Sequence, residues 1–533
     1  MTTTQTADVV VAGAGHNSLI TACYLAKAGY SVLAVDARHI PGGGAATEEM
    51  LAPGYLVDSC STGHTLIQGN PLMVNDELGL LADHGLKYAH PDPVAHVMFP
   101  DGKQFTHWLD LERTVDGIAH YSKADAAAYR RLIAEWADVK HLFNRAQFSP
   151  LGHGRSLDQM LDDHPMGNVW KRRRVMSSWD VIRHEFSSRH IRAYMLWQAY
   201  QTMVRPDAAG SGPLAYSIIG GRQEKSWSIP LGGSGKLTDA LAACFASYGG
   251  RIETDVMVES LILDRGRAVG VRATDGREFL ATVAVLSTIH VKRLVDMAPA
   301  ESWDQSWRYG VSTYDPGAAG FAVYLGATAP PVFETSEGPV SAVSAGYAGW
   351  PEDILDHARI AYDGGWQDRI GWMLAATPTL VDQSRVPVPG HQTVKLLNTV
   401  GHVLPGGTDY GEVMARRARE LKELTRWMCP SFTDDVIVAE YVKGPIEFEE
   451  SNPAMVNGAW HGGDRGITFA GPQRPAPGWA QHRTPIQGLY QTGATTYPGG
   501  SVTGGPGRNA AMIMLEDLGK DFEPLTHHRG TTG

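Results

Sequence analysis

The segment that most restricts this chain lies at its start. Residues 8–12, Asp-Val-Val-Val-Ala, form a short β-branched run suited to a buried parallel strand. Gly13-Ala-Gly15-His-Asn-Ser18 follows, and Leu19 to Ala28 reads as a helix closed by Gly29. Ser31 to Val35 reads as a second buried strand ending at Asp36. Such a β-α-β unit turns the free N–H groups and partial positive charge of its helix toward a pyrophosphate. Gly13 allows the tight turn, and Gly15 lets backbone approach a ligand. Asp36 is placed to accept hydrogen bonds from an adenosine ribose, and its charge disfavours a 2′-phosphate, hence NADP. The unit alone leaves FAD and NAD open.

A second cluster, Pro41-Gly42-Gly43-Gly44-Ala45-Ala-Thr47-Glu48, comes soon after the ribose acid. It can run beside the pyrophosphate and ribityl chain of a flavin, whereas simple NAD folds have no need of it. Two distant segments complete the pattern. One is Pro230-x-Gly232-Gly233-x-Gly235, with a helix to about Tyr248 and then strand-like segments at 251–254, 257–263, 268–274 and 283–287. Asp264-Arg-Gly266 and Asp275-Gly276 read as hairpin turns between them. The other is a strand at 488–492, a loop from Gly493 to Gly507 that contains Pro498-Gly499-Gly500-Ser501-Val502-Thr503-Gly504, and a helix from Arg508 to about Leu518.

In these motifs the chain resembles the phytoene desaturase-like group of FAD-dependent oxidoreductases, which includes carotenoid desaturases and isomerases and retinol saturase, with flavin amine oxidases as wider relatives. The resemblance covers both ends and the middle segment. It implies that Gly13, Gly15, His16, Asn17 and Ser18 form the dinucleotide turn, and that Asp36, with Ala37 and Arg38, meets the ribose. It implies that Gly43, Gly44, Ala45 and Thr47 run beside the flavin and that Val258 meets the adenine. Gly493, Gly500, Ser501, Val502 and Thr503 would lie under the ribityl chain and ring, with the helix after Gly504 aimed at the flavin. Many relatives carry Gly-Asp where this chain has Gly493-Ala494.

The fold class expected is α/β: a Rossmann-type FAD-binding domain (1–95, 220–300 and 445–533) interleaved with an α+β substrate-binding domain (96–219 and 301–444) bearing a helical insertion. The stretch 105–205 reads as mostly helical, and 315–445 mixes strands and helices. The expected activity is hydride removal from a C–H bond of a largely apolar organic substrate, by desaturation, dehydrogenation or oxidation, to non-covalently held FAD. Oxygen, a quinone or another carrier would take the electrons. A redox-neutral isomerase or saturase, a flavin-retaining binding protein without turnover, and a plain NAD dehydrogenase are the competing readings. A second dinucleotide fingerprint is not evident, which argues against a dedicated NAD(P)H site.

Candidate catalytic residues are His64, in Asp58-Ser-Cys60-Ser-Thr-Gly-His64, as proton acceptor or substrate partner, and Tyr497 beside the ring. Trp460 and His461 are candidates for the substrate cavity wall. The four Cys show no C-x-x-C pair, so no zinc site, disulfide framework or dithiol centre is expected, and a reducing, cytoplasmic setting fits. Lys+Arg 46 against Asp+Glu 57 gives a net charge of −11, a poor match to nucleic acid. The start lacks a secretory pattern, and long apolar runs are missing. Lys171-Arg172-Arg173-Arg174, followed by Arg183, His184, Arg189, His190 and Arg192 among aromatic residues, suits a peripheral contact with an anionic membrane or an oligomer contact.

Overall fold

The computed structural model describes residues 4–404 and 408–527. Its first sheet grows from the N-terminal β-α-β unit. Strand Thr4–Ala12 is flanked by parallel partners, Val32–Val35 on one side and Glu278–Ser287 on the other. Val9, Val10 and Val11 are fully buried, as a strand covered on both faces requires. Arg251–Glu253 extends the sheet beyond Val32–Val35. Val258–Asp264 and Arg267–Ala273 add the antiparallel hairpins expected at the Asp-Gly-type turns. Leu489–Gln491 pairs in parallel with the far end of Glu278–Ser287.

The first helix spans His16–Lys27. It ends as the sequence suggests: Gly29 takes φ +97°, its N–H bonds Ala26 O, and the N–H of Tyr30 bonds Leu25 O. That pair of bonds satisfies carbonyls left free at the last turn.

The second sheet has seven strands in the order Ile437–Lys443, Ala319–Ala327, Gln392–Val400, Trp372–Ala376, Ser344–Ala348, Ala95–Met98, Gln104–His107. All its pairs are antiparallel except Ser344–Ala348 with Ala95–Met98. Helices Leu111–Ala119, Lys123–Gln147, Gly167–Val175, Ser178–Glu185, Arg189–Tyr200 and Leu214–Lys225 pack over it, in line with the helical reading of 105–205. Helix Arg189–Tyr200 is clamped to the sheet by two indoles. Trp197 Nε1 donates to Met373 O at 2.9 Å, and Trp372 Nε1 donates to Trp197 O at 3.1 Å. The fold is thus α/β, with a Rossmann-type sheet and a second mixed layer of helices on sheet.

Three of the four residues of the basic run are paired with carboxylates. Lys171 pairs with Asp162, Arg174 with Asp158, and Arg173 with Glu135 at 2.7 Å and Glu185 at 3.2 Å. Ile182, Phe186, Ile191, Tyr194 and Leu196 are buried in the core rather than presented outward. The carboxylates thus take up three of the four charges of the run, while Arg172 is exposed, as are Met166, Val169 and Val175 near it. Among the described residues no helix is long and apolar enough to cross a membrane.

Candidate active site

Four strands of the first sheet end side by side. The N–H of Gly13 bonds Val35 O, that of Thr288 bonds Ala12 O, and that of Thr492 bonds Ser287 O. The loops after these carboxyl ends form one side of a two-armed cleft, the place where open α/β sheets take ligands. The arms share Gly15, Gly43, Thr288, His290, Asn452 and Ala454.

The first arm contains Gly13, Asp36, Ala37, Arg38 and Val258. Asp36 is 8% exposed, and its two oxygens accept from Ala14 N at 2.6 Å and Arg38 N at 2.9 Å. Burial raises its pKa against those bonds. Each carboxylate oxygen has a second lone pair, so the group remains able to accept from a ribose hydroxyl. Arg38 is turned away from that position: it bonds Gly43 O at 2.9 Å and pairs with Glu48 at 2.7 Å, tying the ribose turn to the glycine loop.

The second arm contains His16, Asn17, Ser18, Gly44, Gly493, Ser501 and Val502, together with Trp460 and His461. Two helix N-termini approach it. The first intrahelical bond of His16–Lys27 runs from Leu19 N to Gly15 O, so the N–H groups of His16, Asn17 and Ser18 precede the ladder. Helix Gly505–Asp517 crosses the first helix at close range, with Thr21 Oγ1 donating to Gly507 O at 2.8 Å. The glycines here are dictated by neighbours. Gly13 has φ +98°, and a Cβ on it would lie 3.0 Å from Thr288 Oγ1. Gly42 has φ +118°, and its Cβ would lie 2.5 Å from Ala45 O. Asn17 Oδ1 and His461 Nδ1 are buried without a partner in the protein.

Several expected site residues stand behind the cleft wall and brace it. Thr47 Oγ1 donates to Asp58 at 2.8 Å and accepts from Gly235 N at 2.9 Å. Ala45 O accepts from Thr238 Oγ1 at 2.7 Å. Gly500 lets the His461 carbonyl approach, since a Cβ there would lie 2.0 Å from that oxygen. Thr503 Oγ1 accepts from Gly505 N at 3.2 Å and so caps the last helix.

The two expected catalytic residues lie outside the cleft lining. His64 bonds Tyr88 Oη at 3.1 Å through Nδ1 and Ser234 Oγ at 2.8 Å through Nε2. Burial lowers its pKa to about 3, and neither nitrogen faces the cleft. The backbone on either side does line the second arm, at Cys60 to Gly63 and at Thr65 and Leu66, so it is the His64 side chain alone that turns away. Tyr497 Oη donates to Ala146 O at 2.7 Å and joins the loop to the long helix.

Residues not anticipated from sequence also line the cleft. Thr288 and His290 stand where the arms meet, and His290 is kept neutral by burial, its pKa lowered to about 3. The far chamber of the second arm is walled by Ile218, Trp227, Leu374, Leu397, Met455 and Trp460, with Gln201, Thr202 and Arg222 interspersed. Thr288 was accessible to sequence reasoning, because it directly follows a strand that ends beside the first. The chamber residues come from remote segments that share no local pattern.

The fold and cleft together define a protein with a Rossmann-type dinucleotide-binding layer joined to a second layer of helices on sheet. The family model of the NAD(P)-binding Rossmann-like domain matches residues 11–73. Along most of its length the chain is similar to a subunit of the limonene dehydrogenase of Castellaniella defragrans, 26% identical with 97% of this chain and 96% of the relative covered. It is also similar to the neurosporene-forming phytoene desaturase of Rhodobacter capsulatus, at 24% identity, 97% and 95% covered. Putrescine oxidase shares the fold, with TM-score 0.59, 14% identity, and 97% and 100% covered. The resemblance to phytoene desaturase-like oxidoreductases read from the motifs is thereby extended to nearly the whole chain.

Proposed function

We propose that the protein is an FAD-dependent oxidoreductase that removes a hydride from a C–H bond of a largely apolar organic substrate. The observation that carries this reading is the continuity of the cleft. One arm offers a ribose acid and glycine turns, and the other leads past two helix N-termini into a chamber walled by indole and aliphatic side chains. Gly13, Gly15, Asp36 and Val258 would hold the adenosine half of FAD, and Gly43, Gly44, Gly493, Ser501 and Val502 the flavin half. The residues fit such a group: the cradle is made of glycines a Cβ would fill, and Asn17 Oδ1 awaits a donor. Bound there, FAD supplies the hydride acceptor.

The chain's own part is positioning and exclusion of water. Trp227, Leu374, Leu397 and Met455 give the chamber a dry wall against which an apolar substrate is oriented. His461 is held neutral by burial, its pKa lowered to about 4, and its free Nδ1 accepts a hydrogen bond from substrate or from a water that carries the proton away. Oxygen, a quinone or another carrier takes the electrons onward. The names of the relatives limonene dehydrogenase and phytoene desaturase fit an apolar substrate, and the lining here suits one.

The test is an absorption spectrum of purified protein before and after acid precipitation. Flavin bands that pass to the supernatant are the expected result, followed by anaerobic bleaching with apolar candidates. Absence of flavin bands, together with failure to bind added FAD, would overturn the proposal.

A further inference from the structure

The chamber is not uniformly apolar. Arg222, on helix Leu214–Lys225, lines it beside Ile218 and Trp227 and is only 3% exposed. Its Nη1 donates to Gln198 Oε1 at 2.6 Å and its Nη2 to Gln201 Oε1 at 2.5 Å. The guanidinium carbon lies 5.3 Å from the Trp227 ring centroid. Among the described residues no carboxylate stands within ion-pair distance of it.

That is unusual within this molecule. Arg173, Arg385, Arg417 and Arg508 are also buried, and each has a carboxylate within 4.0 Å. Arg474 and Arg465 lack one, but neither lines the chamber, and Arg474 donates to the backbone carbonyls of Asp464, Phe469 and Ala494. Burial lowers the pKa of Arg222 to about 10, so it stays protonated at neutral pH. A buried charge is ordinarily compensated by an opposite one, because neutral amide oxygens replace its hydration only in part.

The guanidinium is also held in place. Gln198 Nε2 donates to Tyr194 Oη at 2.6 Å, and Tyr194 Oη bonds His107 Nδ1 at 2.6 Å. His107 Nε2 bonds Gln223 Oε1 at 3.0 Å. The Gln198 oxygen is thereby turned to Arg222, and the planar fork is fixed before any ligand arrives. A fixed guanidinium fork matches the two oxygens of a carboxylate.

We propose that Arg222 is the anion-recognising group of the chamber, and that the substrate is an amphipathic acid: an apolar chain or ring system whose carboxylate docks on Arg222. This rests on the oxidoreductase reading of the cleft and narrows its substrate class. The apolar wall takes the hydrocarbon part, and the carboxylate supplies the missing counter-ion.

The test is calorimetric titration of the purified protein, as isolated, with decanoate and separately with decanol. The expected result is that decanoate binds at least about tenfold more tightly, the scale of one charge-assisted pair. In Arg222→Met that preference disappears while decanol binding stays within about twofold, which also shows that the chamber is still formed. Ile218→Trp, which fills the chamber, abolishes binding of both. Equal affinity of the wild type for the two probes overturns the proposal. So does an undiminished preference in Arg222→Met, or decanoate binding that survives Ile218→Trp. The wild-type comparison decides even where a variant fails to fold. Bound flavin without a preference for the acid refutes this inference alone. A preference for the acid in a protein that binds no flavin refutes the redox reading alone.

Discussion

Gly507→Ala adds one methyl group at the point where two helices meet, and the structure sets its cost. Gly507 lies in the first turn of helix Gly505–Asp517, against the first helix of the dinucleotide unit. A Cβ there would sit 2.2 Å from Asn17 O and 2.9 Å from Ile20 Cβ. Carbon contacts are most favourable at about 3.5–4.0 Å, so the helices must part by on the order of 1 Å. Overpacking of this kind costs about 1–3 kcal/mol. Parting also stretches the bond from Thr21 Oγ1 to Gly507 O, now 2.8 Å, for about 1 kcal/mol more. Exchanging Gly for Ala within a helix returns about 1 kcal/mol. The net expectation is a loss of about 1–3 kcal/mol. Because Asn17, whose carbonyl the added methyl displaces, lines the second arm of the cleft, FAD retention should fall with stability. The assay is urea unfolding followed by far-UV circular dichroism, with bound FAD measured after gel filtration. Gly221→Ala is the control: it lies within a helix, and its Cβ would meet only Thr65 Cγ2, at 3.4 Å. If Gly507→Ala proves as stable as Gly221→Ala and keeps the same FAD content, the close-packing argument is wrong.

Three further outcomes follow from the same geometry. Asp36→Ala should weaken FAD binding by about tenfold to a hundredfold, the scale of hydrogen bonds to a charged group, as read by fluorescence titration of the apoprotein; unchanged affinity would remove Asp36 from the site. Arg508→Met should destabilise the fold by about 3–5 kcal/mol, because Glu77, 1% exposed and held by Arg508 at 2.8 Å, is left buried and unpaired; adding Glu77→Gln should recover part of that loss in the same urea assay. Stability should also decline as pH falls below 6.5. His64, His107 and His357 have folded-state pKa values lowered by burial to about 3, so between pH 6.5 and that value the unfolded chain binds the extra protons and gains on the folded one. Each such histidine contributes up to about 1.4 kcal/mol per pH unit in that window; denaturation midpoints that stay flat from pH 6.5 to 5 would contradict it.

How much of this was legible in the sequence depends on whether a constraint is local. Gly13 and Gly29 announce themselves because a backbone at φ +98° or +97° strongly favours glycine, and the adjacent residues form the strand and helix that demand the turn. The strand at the end of the chain and the helix after Gly504 follow from the same kind of punctuation. His64 was misplaced for the opposite reason. Its nearness in sequence to the Gly42–Gly44 cluster suggests nearness to the cofactor, and its neighbours Gly63 and Thr65 do line the cleft, but the His64 ring points away from it and meets Tyr88 and Ser234 instead. Thr47 and Thr503 show a related limit: a hydroxyl next to a ligand-binding loop is as well suited to bracing that loop as to touching the ligand, and the competing partners, Asp58 for one and the Gly505 N–H for the other, are fixed only by the fold.

The chamber is the hardest part to read, and Arg222 shows why. Within Ile218-Ile219-Gly220-Gly221-Arg222-Gln223 it looks like any arginine near the end of a helix, where a cation suits the helix dipole and its head reaches water. What distinguishes it is a set of distances to residues 20 or more positions away and the lack of an acid at all of them. No local period encodes that lack. It becomes visible only when the helices bearing Gln198 and Arg222 are packed together and their charges counted. A dinucleotide cradle is therefore recognisable from backbone requirements written into neighbouring residues, whereas the selectivity of the chamber is written in side chains that become neighbours only after folding. For that reason the decanoate titration tests a statement about tertiary structure that no reading of the motifs alone supports.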